Sequence, residues 1–143
     1  MDLERLIARL KQEESFSPQS YWDVSRWSWG YGTLAPGPGA FISKADADAE
    51  LRKSVQDALS FLPRIFPLFS GFDAVRAESL ADMAYNMGEP RLRGFKKMIA
   101  AVNQLPPDWM EASAQALDSL WYQQVGRRAQ RIVAELATGE ARA

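Results

Sequence analysis

Neither cysteine nor histidine occurs anywhere in the chain. Without cysteine no disulfide can staple the fold, and the Cys/His sets that hold structural zinc are missing, so no metal site is expected. Without histidine, Ser-His-Asp and Cys-His catalysis are excluded. Proton transfer must then fall to Asp, Glu, Lys or Tyr, and the carboxylates become the first place to look for chemistry. Long apolar runs are lacking too. None approaches the roughly 18 residues of a membrane-spanning helix, so no membrane insertion is expected. An excess of one charge is also absent. The net charge is −1, which argues against a general nucleic-acid binder.

What is present fits one globular domain over residues 1–143. The length suffices to bury an apolar core. Hydrophobic residues make up 47% and charged residues 24%, close to the globular average, so disorder is not the default. Charge is unevenly placed. Residues 1–62 carry 7 basic and 9 acidic side chains, residues 63–143 carry 10 and 9. The later basic residues gather as Arg91, Arg93, Lys96 and Lys97 and as Arg127, Arg128 and Arg131. Solvated helix faces are the default reading of both groups. A landing patch for an anionic polymer is the sharper one.

Hydrophobic spacing outlines the elements. Leu3, Leu6, Ile7 and Leu10 predict an amphipathic helix over 2–13, stopped by Pro18. Trp27, Trp29 and Tyr31 then alternate with Ser28, Gly30 and Gly32, the period of a strand or hairpin. Pro36-Gly37-Pro38-Gly39 reads as a loop. Ser43 opens a long helix to about Leu62, with Asp46 as a weaker relative of the capping-box glutamate. Pro63 and Pro67 break the next stretch. Helices follow over 73–87, ended by Gly88-Glu89-Pro90, and around Phe95, Met98, Ile99 and Val102. Another, capped by Asp108, carries Ala112, Ala116, Leu117, Leu120 and Trp121. The last runs from about Arg127 to Ala137 and stops at Gly139. This order predicts an α+β, mostly α protein. A small β lobe over about 14–42 is joined by a connecting helix over about 43–62 to a helical lobe over about 63–143 plus helix 2–13. A cleft between two such lobes is a natural ligand site.

Glu14 falls where the first helix ends, Asp23 nine residues later at the start of the aromatic hairpin, and Ser28 in the alternating strand. A carboxyl at a helix end and another on a strand are the pair that glycoside hydrolysis uses, an acid for the leaving oxygen and a carboxylate on the far face of the sugar. Spacing alone leaves plainer readings open. Glu14 would be a solvated side chain, and Asp23 a turn residue.

Longer stretches carry a family likeness. Asp73-Ala74-Val75-Arg76, then Asn86-Met87-Gly88-Glu89 and Gly94-Phe95, resemble the middle of the phage-type lysozymes, glycoside hydrolase family 24. Trp121-Tyr122-Gln123-Gln124 with Arg128-Ala129-Gln130-Arg131 resembles their C-terminal block, and Ile42-Ser43-Lys44 the start of their interdomain helix. Glu14-Ser15-Phe16, Tyr21-Trp22-Asp23 and Ser28-Trp29-Gly30-Tyr31-Gly32 are similar to their catalytic signature. The resemblance covers nearly the whole chain in one register. It implies a two-lobe lysozyme fold and a muramidase. Such an enzyme cuts the β-1,4 bond between N-acetylmuramic acid and N-acetylglucosamine in bacterial peptidoglycan, with inversion and without a cofactor.

By that register Glu14 takes the general-acid place, with adjacent Glu13 outside the family spacing. Asp23 takes the place of the second carboxylate. Ser28 stands for a threonine whose hydroxyl helps position the attacking water, a task a serine hydroxyl can share. Leu34, Tyr85, Asn86 and Gln124 fall at substrate-binding places. Arg128 matches an arginine that approaches the catalytic glutamate, where a cation favours the ionised carboxyl. The plainer readings are core for Leu34 and Tyr85, a helix-end cap for Asn86 and a helix-face arginine for Arg128. Met83, Met87, Phe95 and Trp121 are expected in the core.

Three positions depart from the family. Ser15 stands where a glycine usually follows the glutamate, Asp23 to Ser28 is one residue shorter, and Thr33 stands where a histidine is common. The alternative to an enzyme is a lysozyme-fold wall-binding or structural phage module with weak or no turnover. The expected partner is the peptidoglycan glycan strand, met by a monomer. Met1 to Lys11 is amphipathic and charged rather than a signal peptide. The expectation is synthesis in the bacterial cytoplasm and delivery to the wall by another factor.

Overall fold

A computed structural model describes all residues, Met1–Ala143. The order is α1 (Leu3–Glu14), β1 (Ser17–Asp23), β2 (Arg26–Gly30), β3 (Thr33–Leu34), α2 (Lys44–Ile65), a 3₁₀ turn (Phe69–Gly71), α3 (Ala74–Met87), α4 (Glu89–Arg93), α5 (Lys96–Val102), α6 (Trp109–Leu117), α7 (Leu120–Val125) and α8 (Arg127–Thr138). The protein is thus α+β and mostly α, with one small antiparallel sheet of order β1-β2-β3. Two compact units are formed, Leu3–Asp57 and Ala58–Ala143, the latter with Met1–Asp2. No helix is long and apolar enough to cross a membrane.

In the unit Leu3–Asp57, α1 buries Leu6, Ile7 and Leu10 along one stripe. α2 begins where Ser43 Oγ accepts the Asp46 N–H at 3.1 Å, satisfying one of the free amides of its first turn. β1 and β2 pair in the register Tyr21↔Ser28, Trp22↔Trp27 and Asp23↔Arg26, with an irregularity between Ser17 and Tyr21. Pro18 falls in that stretch and has no N–H for the ladder. The freed segment turns to residues 40–42 instead. Ser20 exchanges bonds with Ala40, and Pro18 O accepts from Ile42 N–H. Where the sheet meets α2, Gly30 is needed for space as well as for its φ of +59°. A Cβ there would lie 3.0 Å from Ala47 Cβ.

In the unit Ala58–Ala143 the core is built by Leu62, Phe66, Leu80, Met83, Leu92, Met98, Val102, Ile132 and Leu136. Ala112 and Ala116 of α6 are fully buried, and small side chains there let α5 and α8 approach closely. Met83, Met87 and Trp121 are buried as expected, and Phe95 is half-buried against the Trp121 ring at 6.1 Å. The N-caps Asp73 and Asp108 accept from the third residue on, Arg76 and Glu111. Arg76 also donates to Leu136 O and Ala137 O at 2.8 and 3.0 Å, closing the carbonyl end of α8.

Three boundaries differ from the sequence reading. Pro63 does not break α2, which continues to Ile65. A proline in a last turn costs one amide bond, and Leu62 O is used by Phe66 N–H at 2.7 Å. The helix expected to carry both Leu117 and Trp121 is two, because Ser119 caps a new start by accepting from Tyr122 N–H at 3.1 Å. Leu117 and Leu120 at the break are exposed, not core. α4 was not signalled. Pro90 and Glu89, which end α3, are favourable first-turn residues for the next helix.

Candidate active site

Glu14 is the last residue of α1. The chain must turn sharply after it, and Ser15 does so at φ +58°, in the left-handed region, returning its N–H to Lys11 O at 3.0 Å. This is the place of a helix C-terminal glycine. Tyr31 is buried on the same unit against Phe16, ring centroids 5.6 Å apart, with Lys11 Nζ 5.5 Å from its ring centre. Lys11 is fixed in turn by Asp48 at 2.5 Å, and Asp48 by Arg52 at 2.8 Å. The carboxyl end of α1 is thereby tied to the hairpin and to α2.

The hairpin delivers the second acid. Asp23 ends β1, Val24 and Ser25 form the turn, and Arg26 begins β2 opposite Asp23. Val24 is held at φ +53° with 91% of its surface exposed. A β-branched residue in that region is strained, and the two-residue turn that imposes it is the shortened segment noted in the sequence. Strand alternation puts Tyr21, Asp23, Arg26, Ser28 and Leu34 on one face and the Trp22–Trp27 pair on the other. Arg26 Nη2 donates to Gly32 O at 3.0 Å. Gly32, at φ +85°, lies against Glu14 so closely that a Cβ there would stand 2.7 Å from Glu14 Oε2. Glu14, Gly32, Arg26 and Asp23 therefore form one connected group. The Tyr21 phenol feels both acids. Partial burial, then the charges of Asp23 and Glu14, push it above the usual tyrosine range, and Arg26 opposes them.

Ser28 is wholly buried between its neighbours Tyr21 and Leu34, and its hydroxyl has no hydrogen-bond partner. Leu34 is exposed rather than core. Thr33, where the family often has histidine, donates to Glu50 Oε1 at 2.6 Å, and Trp29 Nε1 donates to the same oxygen at 2.9 Å. Thr33 is thus a tie between the sheet and α2.

The other predicted site residues lie in the helical unit. Tyr85 is half-buried on α3. Asn86 accepts from the Trp121 indole at 2.9 Å, so it anchors a core ring rather than capping α3 through its side chain. Gln124 is exposed on α7. Arg128 is bound to Asp82 at 2.7 Å, and Asp82 is 0% exposed. Arg131 approaches buried Glu135 at 3.5 Å, where Ser79 also donates at 3.2 Å. Arg128 and Arg131 therefore do not form a solvated face or a landing patch. They set positive charge against buried acids, and a buried acid without a counter-charge is costly. Arg131 and Glu135 stand four residues apart on α8, a spacing the sequence does hold, whereas Arg128 and Asp82 are 46 residues apart and carry no local signal. The first basic group fares differently. Arg91, Lys96 and Lys97 rim a pocket of about 540 Å³ floored by Phe95, Met98 and Trp121.

Sequence reasoning missed Tyr21 and Arg26 as members of the acid group. Their signal was the two-residue step from Tyr21 to Asp23 on one strand, legible only once the hairpin register is known.

Comparison with known proteins gives concordant findings. The pre-baseplate central spike protein Gp5 of Enterobacteria phage T4 is 34% identical over 76 residues, 53% of this chain and 13% of that protein. A probable T4-type lysozyme 2 of Dictyostelium discoideum is 24% identical over 101 residues, 68% of this chain and 58% of that protein. A probable T4-type lysozyme 1 of the same organism is 22% identical over the same length. The chain thus spans little more than half of the latter two and a small part of the first. The phage lysozyme family profile matches residues 11–135, from the lysine that holds the hairpin to the buried glutamate of α8, and the chain belongs to that family.

Proposed function

We propose that the protein is a muramidase that hydrolyses the β-1,4 bond between N-acetylmuramic acid and N-acetylglucosamine in peptidoglycan. The observation that carries this reading is the joining of two carboxylates, Glu14 and Asp23, through Gly32 and Arg26 within the family-matched segment. Glu14 gives its proton to the leaving O4 as the C1–O4 bond breaks. Asp23 takes a proton from the water whose oxygen bonds to C1 from the opposite face. Solvent then restores both acids, and the product anomer is inverted. Ser28 is assigned with Asp23 to the water side, in the register of the family's threonine. Leu34, Tyr85, Asn86, Gln124 and Arg128 are the proposed substrate contacts. The protein works as a monomer, with no cofactor, at the cell wall to which another factor delivers it.

A second reading is a wall-binding module with little turnover. The strained Val24 turn and the buried Ser28 hydroxyl favour it, because a displacement of even about 1 Å can cost on the order of a hundredfold in rate. Release of reducing ends from purified peptidoglycan separates the two. The enzyme releases them, Glu14→Gln nearly abolishes release, and Glu13→Gln preserves it. Binding without release establishes the module. NMR of the first-formed anomer is expected to show inversion, and retention would overturn the assignment of Asp23 to the water side.

A further inference from the structure

Ser28 was the hydroxyl that the sequence offered for positioning the attacking water, yet it is wholly out of solvent. Its cross-strand neighbour on the same face is Tyr21, which remains 37% exposed. Tyr21 is also two residues before Asp23 on β1, so the two side chains stand on one face, one pleat apart. Arg26, opposite Asp23, reaches Gly32 O, and Gly32 packs on the Glu14 carboxylate. The hydroxyl of this hairpin that is open to solvent and set beside the acids is therefore a phenol, two residues from the expected general base.

We propose that Tyr21 is a catalytic residue, its hydroxyl holding the attacking water against Asp23. The inference rests on the muramidase reading given above. The phenol O–H donates to the Asp23 carboxylate, and its oxygen accepts one hydrogen of the water. The second water hydrogen is directed to Asp23, which receives that proton as the water oxygen bonds to C1 and O4 leaves with the proton of Glu14. Tyr21 begins and ends the step neutral. This suits a phenol that faces Glu14, Asp23 and Arg26, because the two acids disfavour its ionised form. Tyrosine also has the reach that the buried serine lacks, since its oxygen lies at the far end of a ring rather than one bond from Cβ.

The test compares Tyr21→Phe, Ser28→Ala and Glu14→Gln in release of reducing ends from soluble peptidoglycan fragments, with thermal unfolding of each. Tyr21→Phe keeps the ring and removes only the oxygen. It is expected to lower kcat by about ten- to a hundredfold, the scale of one hydrogen bond to a charged group, with KM and Tm nearly unchanged. Ser28→Ala is expected to lower kcat by less. A second measurement follows the Tyr21 ring carbon beside the hydroxyl by NMR as pH is raised. Its titration is expected at lower pH in Asp23→Asn than in the wild type. A Tyr21→Phe enzyme with wild-type kcat, or a larger loss from Ser28→Ala than from Tyr21→Phe, overturns the proposal while leaving the muramidase reading intact. A wild type that releases no ends overturns both. A fall in Tm matching the fall in rate would make Tyr21 a packing residue and overturn the proposal alone.

Discussion

Replacing Gly32 by alanine separates the backbone cost of a substitution from its effect on the acid. The residue sits at φ +85°, and a side chain there is strained by about 1–2 kcal/mol whatever surrounds it. The added carbon would also lie 2.7 Å from Glu14 Oε2, where ordinary contact begins at 3.4 Å, so the oxygen must retreat by about 0.7 Å. The atom that gives way is the end of a flexible side chain, so this second cost to stability is small. On the proposed role of Glu14 its cost to chemistry is large, because proton donation depends on the carboxyl position. Gly39→Ala supplies the control. Gly39 has φ +72° with nothing within 4 Å of the added carbon. Both variants are expected to lose about 1–2 kcal/mol, roughly 3–8 °C in Tm for a chain of this size. Only Gly32→Ala is expected to lose activity, by about ten- to a hundredfold. The assay is reducing-end release at a temperature where both variants are folded, beside thermal unfolding by circular dichroism. Equal activity in the two variants would show that the Glu14 position against the hairpin is unimportant, and the reasoning that links Gly32 to the acid would be refuted.

Ser15→Gly relieves the left-handed residue after Glu14 and is expected to raise stability by about 0.5–1 kcal/mol, read as a higher urea midpoint at unchanged slope. A lower midpoint would mean that the serine hydroxyl matters more than the backbone strain. Asp48 is held below the usual carboxylate range, first by its hydrogen bond from Lys11 and then by that from Arg52. A depressed carboxyl stabilises the fold above its unfolded pKa of about 3.9, and that stability is lost as pH falls through the lower folded value. Asp48→Asn is therefore expected to flatten the acid arm of stability against pH below about pH 4, and an unchanged arm would place the pairing energy elsewhere. Amides in 26–34 are expected to exchange faster than those in 112–121. The first set lies in a sheet with one two-residue strand, and the second in helices packed through buried Ala112, Ala116 and Trp121. Equal protection would make the sheet part of the most stable core.

Much of this protein was written in local chemistry. Period and punctuation alone gave α1, the hairpin, α2, α3 and α8, because an amphipathic stripe, an alternating aromatic run and the caps and stops at Ser43, Asp108 and Gly139 act within a few residues. The absence of cysteine and histidine left the chemistry to carboxylates, lysines and phenols, and the family register pointed to Glu14 and Asp23. The tertiary structure alone decided what those residues touch. The split between α6 and α7 turned on one serine hydroxyl whose capping role competes with helix continuation. The partner of Arg128 was hidden because a buried acid 46 residues away leaves no periodic trace. Ser28 looked like an available hydroxyl until its cross-strand neighbours enclosed it, and Tyr21 looked like one more aromatic until register set it beside Asp23. Helices and turns are fixed by neighbours in sequence, whereas side-chain access and electrostatic company are fixed by neighbours in space. A catalytic site is made of the second kind.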